Sequence, residues 1–279
     1  MTLSAVQAGA YLHHLALESA DPARLAKFYS SAMEMDLEQV SPEEWRCEGP
    51  GRRIVAVPGE NKKLAYAGFA CRDADGLAVL SSRAESEGVS IEASPSPYFE
   101  DGAFSVRDPD GNRLVFGVAK PPAAEHRALH GPIQHLTLAS FDVNAFVDFY
   151  AGKLGFRITD RVVKDDGTLA TCFFTSNHEH HTLACFLASH QGIDHHSYEV
   201  GEWDRIRDWC DHFSDLELPL VWGPGRHGPG NNLFAFIEDP DGNYIEVSAE
   251  LEVVHDRQEK IWPHAPRTLN YWGRAVMRS

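Results

Sequence analysis

The chain has 279 residues, of which 43% are hydrophobic, and a formal net charge of −16 with histidine neutral. At roughly 100–200 residues per domain, this length allows one large or two medium domains. The acidic excess repels phosphate backbones, so the sequence predicts no nucleic-acid partner. No run reaches the ~18 apolar residues of a membrane helix, and residues 1–19 do not resemble a secretory signal, so no membrane association is expected.

The cysteines indicate the redox compartment. There are five, without CxxC spacing, at Cys47, Cys71, Cys172, Cys185 and Cys210. A scattered, odd set of this kind is typical of reduced thiols in a cytoplasmic protein.

Along the chain, the first feature is an internal repeat. Residues 12–37 and 133–156 each predict a short alternating strand, a polar link and an amphipathic helix with a Phe-Tyr pair, Phe28-Tyr29 and Phe149-Tyr150. Residues 104–119 and 234–250 each predict two strands joined by an Asp-Pro-Asp-Gly-Asn turn. The chain is therefore two similar halves.

Each half divides again, because residues 64–82 and 192–213 also predict a strand followed by a helix. Strand–helix–strands units with hairpins favour an α+β fold, with a curved, open barrel-like sheet in each half and helices on its outer face. The predicted boundaries are an N-terminal domain over 1–119, a linker over 120–132, a C-terminal domain over 133–250 and a tail over 251–279. Trp262 and Trp272 suggest that the tail docks on the body or on another subunit.

Histidines are concentrated in the second half, where three potential metal ligands occupy matched places. His135 lies in the first strand of the third unit, His195 in the first strand of the fourth, and Glu246 follows the last turn. Paired strands of a curved sheet can bring such distant residues together. A single histidine at a strand start is more often a core or surface residue, and Glu246 alone could be exposed. Three at equivalent positions favour a metal site.

Two imidazoles and one carboxylate on one face of a metal leave three positions open, the arrangement of non-haem Fe(II) oxygenases. A substrate with two adjacent oxygens and dioxygen would fill them. The first half lacks the set: His14 aligns with His135, but residues 65–69 contain no histidine and Val115 aligns with Glu246. We therefore expect the N-terminal half to be a metal-free copy.

Four motifs carry a family resemblance: IQHLTLAS (133–140), HEHHTLACF (178–186), GIDHHSYEV (192–200) and GRHGPGNNLFAFIEDPDGNYIE (225–246). With the repeats, they resemble the type I extradiol ring-cleaving dioxygenases of the vicinal oxygen chelate superfamily, which also holds glyoxalase I and the bleomycin-resistance proteins. The resemblance covers residues 10–250. It implies two βαβββ modules per domain, Fe(II) or alternatively Mn(II) in the C-terminal domain, a small aromatic diol and O₂ as substrates, and a homo-oligomer.

By position, the resemblance assigns the metal ligands to His135, His195 and Glu246. His195 is preferred over His196 because it stands four residues before Glu199, as in the family motif, and His196 would then point to the other side of the strand. His181 matches the family's acid/base histidine, with His180 as the competitor. His227 matches a histidine that hydrogen-bonds a substrate hydroxyl.

The candidate substrate contacts are His180, His196, Phe186, Tyr244 and Phe236. Phe236 departs from the family, which usually has tyrosine there, and a phenyl ring cannot donate a hydrogen bond. Either Tyr198 or Tyr244 replaces that donor, or the substrate or reaction differs. Two alternatives stay open: a non-oxidative isomerase, epimerase or lyase that uses a divalent metal as Lewis acid, and a protein that only binds a small aromatic.

Overall fold

The computed structural model describes residues 3–122 and 128–277; residues 123–127 of the predicted linker lie outside this range. The first half forms one eight-stranded sheet with the order β2-β3-β4-β1-β5-β8-β7-β6. Its elements are α1 Ser4–Gln7, β1 Tyr11–Ser19, α2 Pro22–Ala32, β2 Asp36–Ser41, β3 Glu44–Gly49, β4 Arg52–Pro58, β5 Lys63–Cys71, α3 Ala74–Ser86, β6 Glu92–Ala93, β7 Phe104–Arg107 and β8 Arg113–Val118.

The second half forms a nine-stranded sheet with the order β14-β15-β16-β13-β9-β12-β11-β10-β17. A short π-helix, Val147–Lys153, continues α4. The other elements are β9 Ile133–Ser140, α4 Val143–Phe146, β10 Arg157–Val163, β11 Leu169–Thr175, β12 Leu183–Leu187, β13 Gly192–Gly201, α5 Trp203–Asp215, β14 Trp222–Arg226, β15 Leu233–Glu238, β16 Tyr244–Ala249, β17 Lys260–Pro263 and α6 Pro266–Leu269.

The predicted α+β architecture is confirmed. Each half contains two βαβββ modules, whose first strands pair antiparallel at the centre of the sheet: β1 with β5, and β9 with β13. The last strand of each module is parallel to its own first strand. Both sheets are open rather than closed barrels. In the described residues, no helix is long and apolar enough to cross a membrane.

Local sequence explains the helix starts and the tight turns. Asp21 caps α2 by accepting a hydrogen bond from the Arg24 backbone N–H at 3.0 Å, with Pro22 at the first helical position. In the last turn, Asp239 Oδ1 accepts backbone hydrogen bonds from Asp241 and Asn243, each at 2.9 Å. Gly242 supplies the positive φ of 88° that this turn needs.

The two repeated motifs bind each other across the halves. Tyr29 in α2 donates from its hydroxyl to Asp239 Oδ2 at 3.0 Å, and Tyr150 donates to Asp108 Oδ2 at 2.9 Å. Each Phe-Tyr helix therefore reaches the Asp-Pro-Asp-Gly-Asn turn of the other half. We call these two contacts the reciprocal clasp, and the sequence repeats alone did not predict it.

The C-terminal segment docks on the chain's own body. Strand β17 adds to the edge of the second sheet, parallel to β10, and Trp262 Nε1 donates to Asp160 Oδ2 at 2.7 Å. Residues 260–263 thus extend the sheet beyond the predicted domain end at 250. The five cysteines form no disulfide.

Candidate metal centre

Strand register brings the three predicted ligands to one face of the second sheet. His135 in β9 pairs with Ser197 in β13, and Ser197 pairs with Glu246 in β16. His195 lies two residues before Ser197, so its side chain points to the same face. The alternation shows in β9, where Leu136 and Leu138 pack in the core, while His135 and Thr137 line a cavity on the opposite face.

The donor atoms converge. Glu246 Oε2 lies 3.1 Å from His135 Nε2 and 3.6 Å from His195 Nε2, and the two Nε2 atoms are 3.2 Å apart. Adjacent ligands held at about 2.1 Å from a metal stand roughly 3 Å apart, so these distances fit one ion. Within the described residues, these three side chains form a group whose ligand atoms all lie within 4.8 Å of one another, close enough to hold one metal ion. The predicted ligand set is therefore brought together.

The residue before each histidine fixes its imidazole. His135 Nδ1 lies 2.6 Å from Gln134 Oε1, and His195 Nδ1 lies 2.6 Å from Asp194 Oδ1. An acceptor at Nδ1 places the ring proton there and leaves the Nε2 lone pair for a metal. Glu246 is oriented in the same way, because Asn232 Nδ2 donates to its Oε1 at 3.2 Å.

The electrostatics favour the ligating protonation states. Burial lowers the pKa of His135, which keeps the imidazole neutral despite the opposing effect of Glu246. Burial alone would raise the pKa of Glu246, but the ring nitrogens of His135 and His227 beside the carboxylate hold that pKa well below its ordinary value. Neutral imidazoles and an ionised carboxylate are the forms that bind a divalent metal.

Two further predicted histidines border the site. The ring of His181 lies 4.2 Å from that of His135, centroid to centroid. His227 Nδ1 donates to the Leu269 carbonyl at 2.6 Å, and its Nε2 lies 3.6 Å from Glu246 Oε1. Both side chains line the cavity beside the three ligands.

The rest of the cavity wall is mainly apolar and aromatic. Phe236 lies against His195, with ring centroids 5.3 Å apart, and stacks on Trp222. The apolar lining comprises Phe173, Ala184, Phe186, Trp222, Pro229, Phe236, Leu269 and Val276. Leu269 and Val276 come from the C-terminal segment, which was not predicted to reach the site. Gln134, Asp194 and Asn232 were not predicted either; a polar residue directly before each histidine ligand was the available signal for the first two.

The structure places three of the predicted substrate contacts outside the lining of this cavity. His196 points to the opposite face of β13, where its Nε2 lies 2.9 Å from the Tyr29 hydroxyl. The side chain of Tyr244 lies outside the cavity lining and against Lys62, whose Nζ is 5.7 Å from the ring centroid. His180 is fully buried behind His181, with its Nδ1 2.9 Å from His181 Nδ1. Tyr198 shares the face of His196, so neither proposed tyrosine replaces the donor that Phe236 lacks.

Comparison with known proteins gives one consistent family. The model of the glyoxalase/bleomycin resistance protein/dioxygenase superfamily matches residues 11–116 and 132–247. Metapyrocatechase 2 of Cupriavidus necator is 27% identical over 77% of this chain and 73% of its own length. The 3-methylcatechol 2,3-dioxygenase of Pseudomonas putida is 25% identical over 91% and 96%. Homoprotocatechuate 2,3-dioxygenase from Arthrobacter globiformis superposes with a TM-score of 0.82 at 19% identity, covering 97% of this chain and 90% of that one.

Proposed function

Because the chain belongs to the glyoxalase/bleomycin resistance protein/dioxygenase superfamily, we propose that it is an extradiol dioxygenase that cleaves a catechol-type ring with O₂ at an Fe(II) site. The observation that carries the proposal is the convergence of His135, His195 and Glu246 in a cavity with two more histidines and an aromatic wall. The relatives named metapyrocatechase and 3-methylcatechol 2,3-dioxygenase support it.

The three ligands would hold the metal through His135 Nε2, His195 Nε2 and a carboxylate oxygen of Glu246. When bound, Fe(II) supplies the electronic link between a bound diol and O₂ that a 2-His-1-carboxylate site with open positions provides. Mn(II) is the alternative ion, since the same donor set accepts it.

The chain's own residues would then handle protons and orientation. His181 Nε2 is the ring nitrogen left for the cavity, because Nδ1 is engaged by His180. We assign it to accept a proton from a substrate hydroxyl and to return that proton later. His227, fixed by the Leu269 carbonyl, would hydrogen-bond a second substrate oxygen through Nε2. Phe186, Trp222 and Phe236 would hold the ring and exclude water.

The charged residues that line the cavity limit the class of substrate that we propose. In residues 3–122 and 128–277, no lysine or arginine lines it, and its ionisable lining includes the carboxylates Asp194 and Glu246. A substrate carboxylate would lose its hydration without gaining a lysine or arginine partner from that lining, which is unfavourable. We therefore propose a neutral catechol, unsubstituted or with an apolar substituent.

The cellular location and the oligomeric state are also proposed. Five thiols without a disulfide support a reducing, cytoplasmic location. Assembly into a homo-oligomer is expected from the family resemblance.

The test is oxygen consumption by protein loaded anaerobically with Fe(II) and offered catechol, 3-methylcatechol, 2,3-dihydroxybiphenyl and a carboxylated catechol. We expect O₂ uptake with the neutral diols and at least tenfold lower kcat/KM with the carboxylated one. Matched samples loaded with Mn(II) and Zn(II) identify the active ion. No uptake with any diol at full iron occupancy would overturn the dioxygenase proposal. It would favour a metal-dependent isomerase or lyase, the alternative that Phe236 suggests.

A further inference from the structure

Behind His181, on the side away from the cavity, two more polar side chains are completely buried. His181 Nδ1 lies 2.9 Å from His180 Nδ1, and His180 Nε2 lies 3.1 Å from Asp160 Oδ2. The N–H of His180 is not aimed straight at that oxygen, so the second contact is a close electrostatic one rather than a linear hydrogen bond. We call this arrangement the Asp160–His180–His181 line.

The far end of the line is held by the C-terminal segment. Arg257 Nη1 lies 2.9 Å from Asp160 Oδ1, and Trp262 Nε1 donates to Oδ2 at 2.7 Å. Arg257 is itself fixed by Glu252, which accepts two hydrogen bonds at 2.7 and 2.8 Å. These residues follow the part of the chain matched by the superfamily model, which ends at 247. The anchor of the line therefore comes from the C-terminal segment and not from the two repeated halves.

The proton positions follow from the chemistry of the three groups. Although burial raises the pKa of Asp160, the contacts from His180, Trp262 and Arg257 hold it below its ordinary value, so the group is a carboxylate. A carboxylate beside His180 Nε2 favours a proton on that nitrogen. A neutral His180 then has a lone pair on Nδ1, and the facing Nδ1 of His181 must be the donor. His181 Nε2 is left unprotonated.

We propose that Asp160 and His180 are positioning residues that hold His181 in its Nδ1-protonated tautomer, with the Nε2 lone pair turned to the substrate. Arg257 and Trp262 keep the Asp160 carboxylate in place. Only the task given to Nε2 rests on the proposed function. Burying an acid and an imidazole is costly unless each is paired, and here the pairing ends on His181, the member of the line that reaches the cavity.

The tautomer can be measured directly, without turnover. In the full, metal-free chain labelled with ¹⁵N-histidine, we expect His181 to carry its proton on Nδ1. His180→Asn places an acceptor oxygen near the former Nδ1 and should retain that tautomer. His180→Leu removes the acceptor and should shift the proton of His181 to Nε2 or give a mixture. A wild-type His181 protonated on Nε2 overturns the proposal, as does a tautomer that His180→Leu leaves unchanged.

Steady-state kinetics distinguish a role of Asp160 and His180 in positioning His181 from a role in stability alone. In iron-loaded protein, Asp160→Asn should lower kcat about 10- to 100-fold, less than the loss of a proton-transfer residue itself, with KM and iron content unchanged. His180→Asn should recover most of the activity that His180→Leu loses. The matched control is Asp108→Asn, which changes a buried carboxylate in the other half and should alter stability but neither kcat nor the tautomer.

The milder variant Trp262→Phe keeps the experiment decisive if Asp160→Asn does not fold, and should lower kcat several-fold at constant KM. Equal kcat in wild type, Asp160→Asn and Trp262→Phe would overturn the positioning role. Absence of O₂ uptake in wild type together with an intact Nδ1-protonated tautomer would instead reject the dioxygenase proposal and leave the positioning in force.

Discussion

The two halves of the molecule carry the same strand register around very different chemistry. In the second sheet, the register positions on β9, β13 and β16 hold His135, His195 and Glu246. In the first sheet, the corresponding positions on β1, β5 and β8 hold His14, Tyr66 and Val115. The backbone arrangement is thus common to both halves, and the side chains differ at two of these three register positions.

The retained histidine shows how the first half uses the same position. His14 is fully buried, with Nε2 2.8 Å from Ser96 Oγ and Nδ1 2.8 Å from His13 Nδ1. Its ring lies over Gly68, where an added Cβ would overlap the imidazole. The matching residue in the second half is Ser197, whose Cβ closes that space. His135 instead directs Nε2 toward Glu246, so a glycine-to-serine difference helps decide where an imidazole points.

The largest expected effect comes from Glu246→Val, which gives the second half the residue that the first half has at the matching position, Val115. We expect iron affinity to fall more than about 100-fold, above the usual effect of changing a residue that only hydrogen-bonds a ligand, and ring cleavage to be lost with it. Metal analysis after dialysis against Fe(II) measures the first effect. His14→Gln is the matched control: it should cost stability but leave iron content unchanged. Full iron occupancy in Glu246→Val would show that Glu246 is not a ligand.

How far the sequence predicts this site depends on the repeat. Comparing the halves aligned His135, Glu246 and Val115 correctly, because period-two alternation and a shared register determine which residues share a face. The wall of the cavity could not be predicted in this way. Leu269 and Val276 reach it from a segment without a counterpart in the first half. Tyr244 shares a face with Glu246 but lies at the strand end, where Lys62 contacts it.

The Asp108 carboxyl group of the reciprocal clasp should make the stability of the chain depend on pH. Burial raises the pKa of Asp108 from 3.8 to about 6, against the hydrogen bonds from Asn112 and Tyr150. The folded state therefore binds this proton more tightly than the unfolded state. The resulting stabilisation is present below pH 4 and is lost as the pH rises toward 6, up to about 3 kcal/mol.

Urea unfolding of wild type and Asp108→Asn at pH 4, 5, 6 and 7 measures this term. The difference in unfolding free energy between the two proteins should fall across pH 4–6 and be flat above about pH 7. The variant has a constant offset, because each Asp108 oxygen accepts two hydrogen bonds and asparagine replaces one of these oxygens with an NH2 group that cannot accept. A difference that does not change with pH would mean that Asp108 ionises alike in both states.

The two tyrosines of the clasp differ in their number of partners. The Tyr29 hydroxyl contacts both Asp239 and His196, whereas the Tyr150 hydroxyl hydrogen-bonds Asp108 alone among the described residues. Removing a partner from a buried polar group costs about 1–3 kcal/mol. Tyr29→Phe should therefore destabilise the chain more than Tyr150→Phe, by about 1 kcal/mol in denaturant unfolding. Equal losses would show that the His196 contact contributes nothing.

The last comparison of the halves concerns Phe236, which pairs with Glu246 as Ser105 pairs with Val115 in the first half. Phe236→Tyr would add a hydroxyl on the cavity side next to His195. If the bound diol accepts a hydrogen bond there, kcat/KM should rise by up to about tenfold, the value of one net hydrogen bond, at constant iron content. If no acceptor is present, the hydroxyl is buried unpaired and the unfolding free energy should drop by about 1–3 kcal/mol without a kinetic gain. Steady-state kinetics and urea unfolding of this one variant thus decide between two roles of the phenyl ring. Either the site lacks a hydrogen-bond donor that the substrate could use, or the apolar wall fits an apolar part of the substrate.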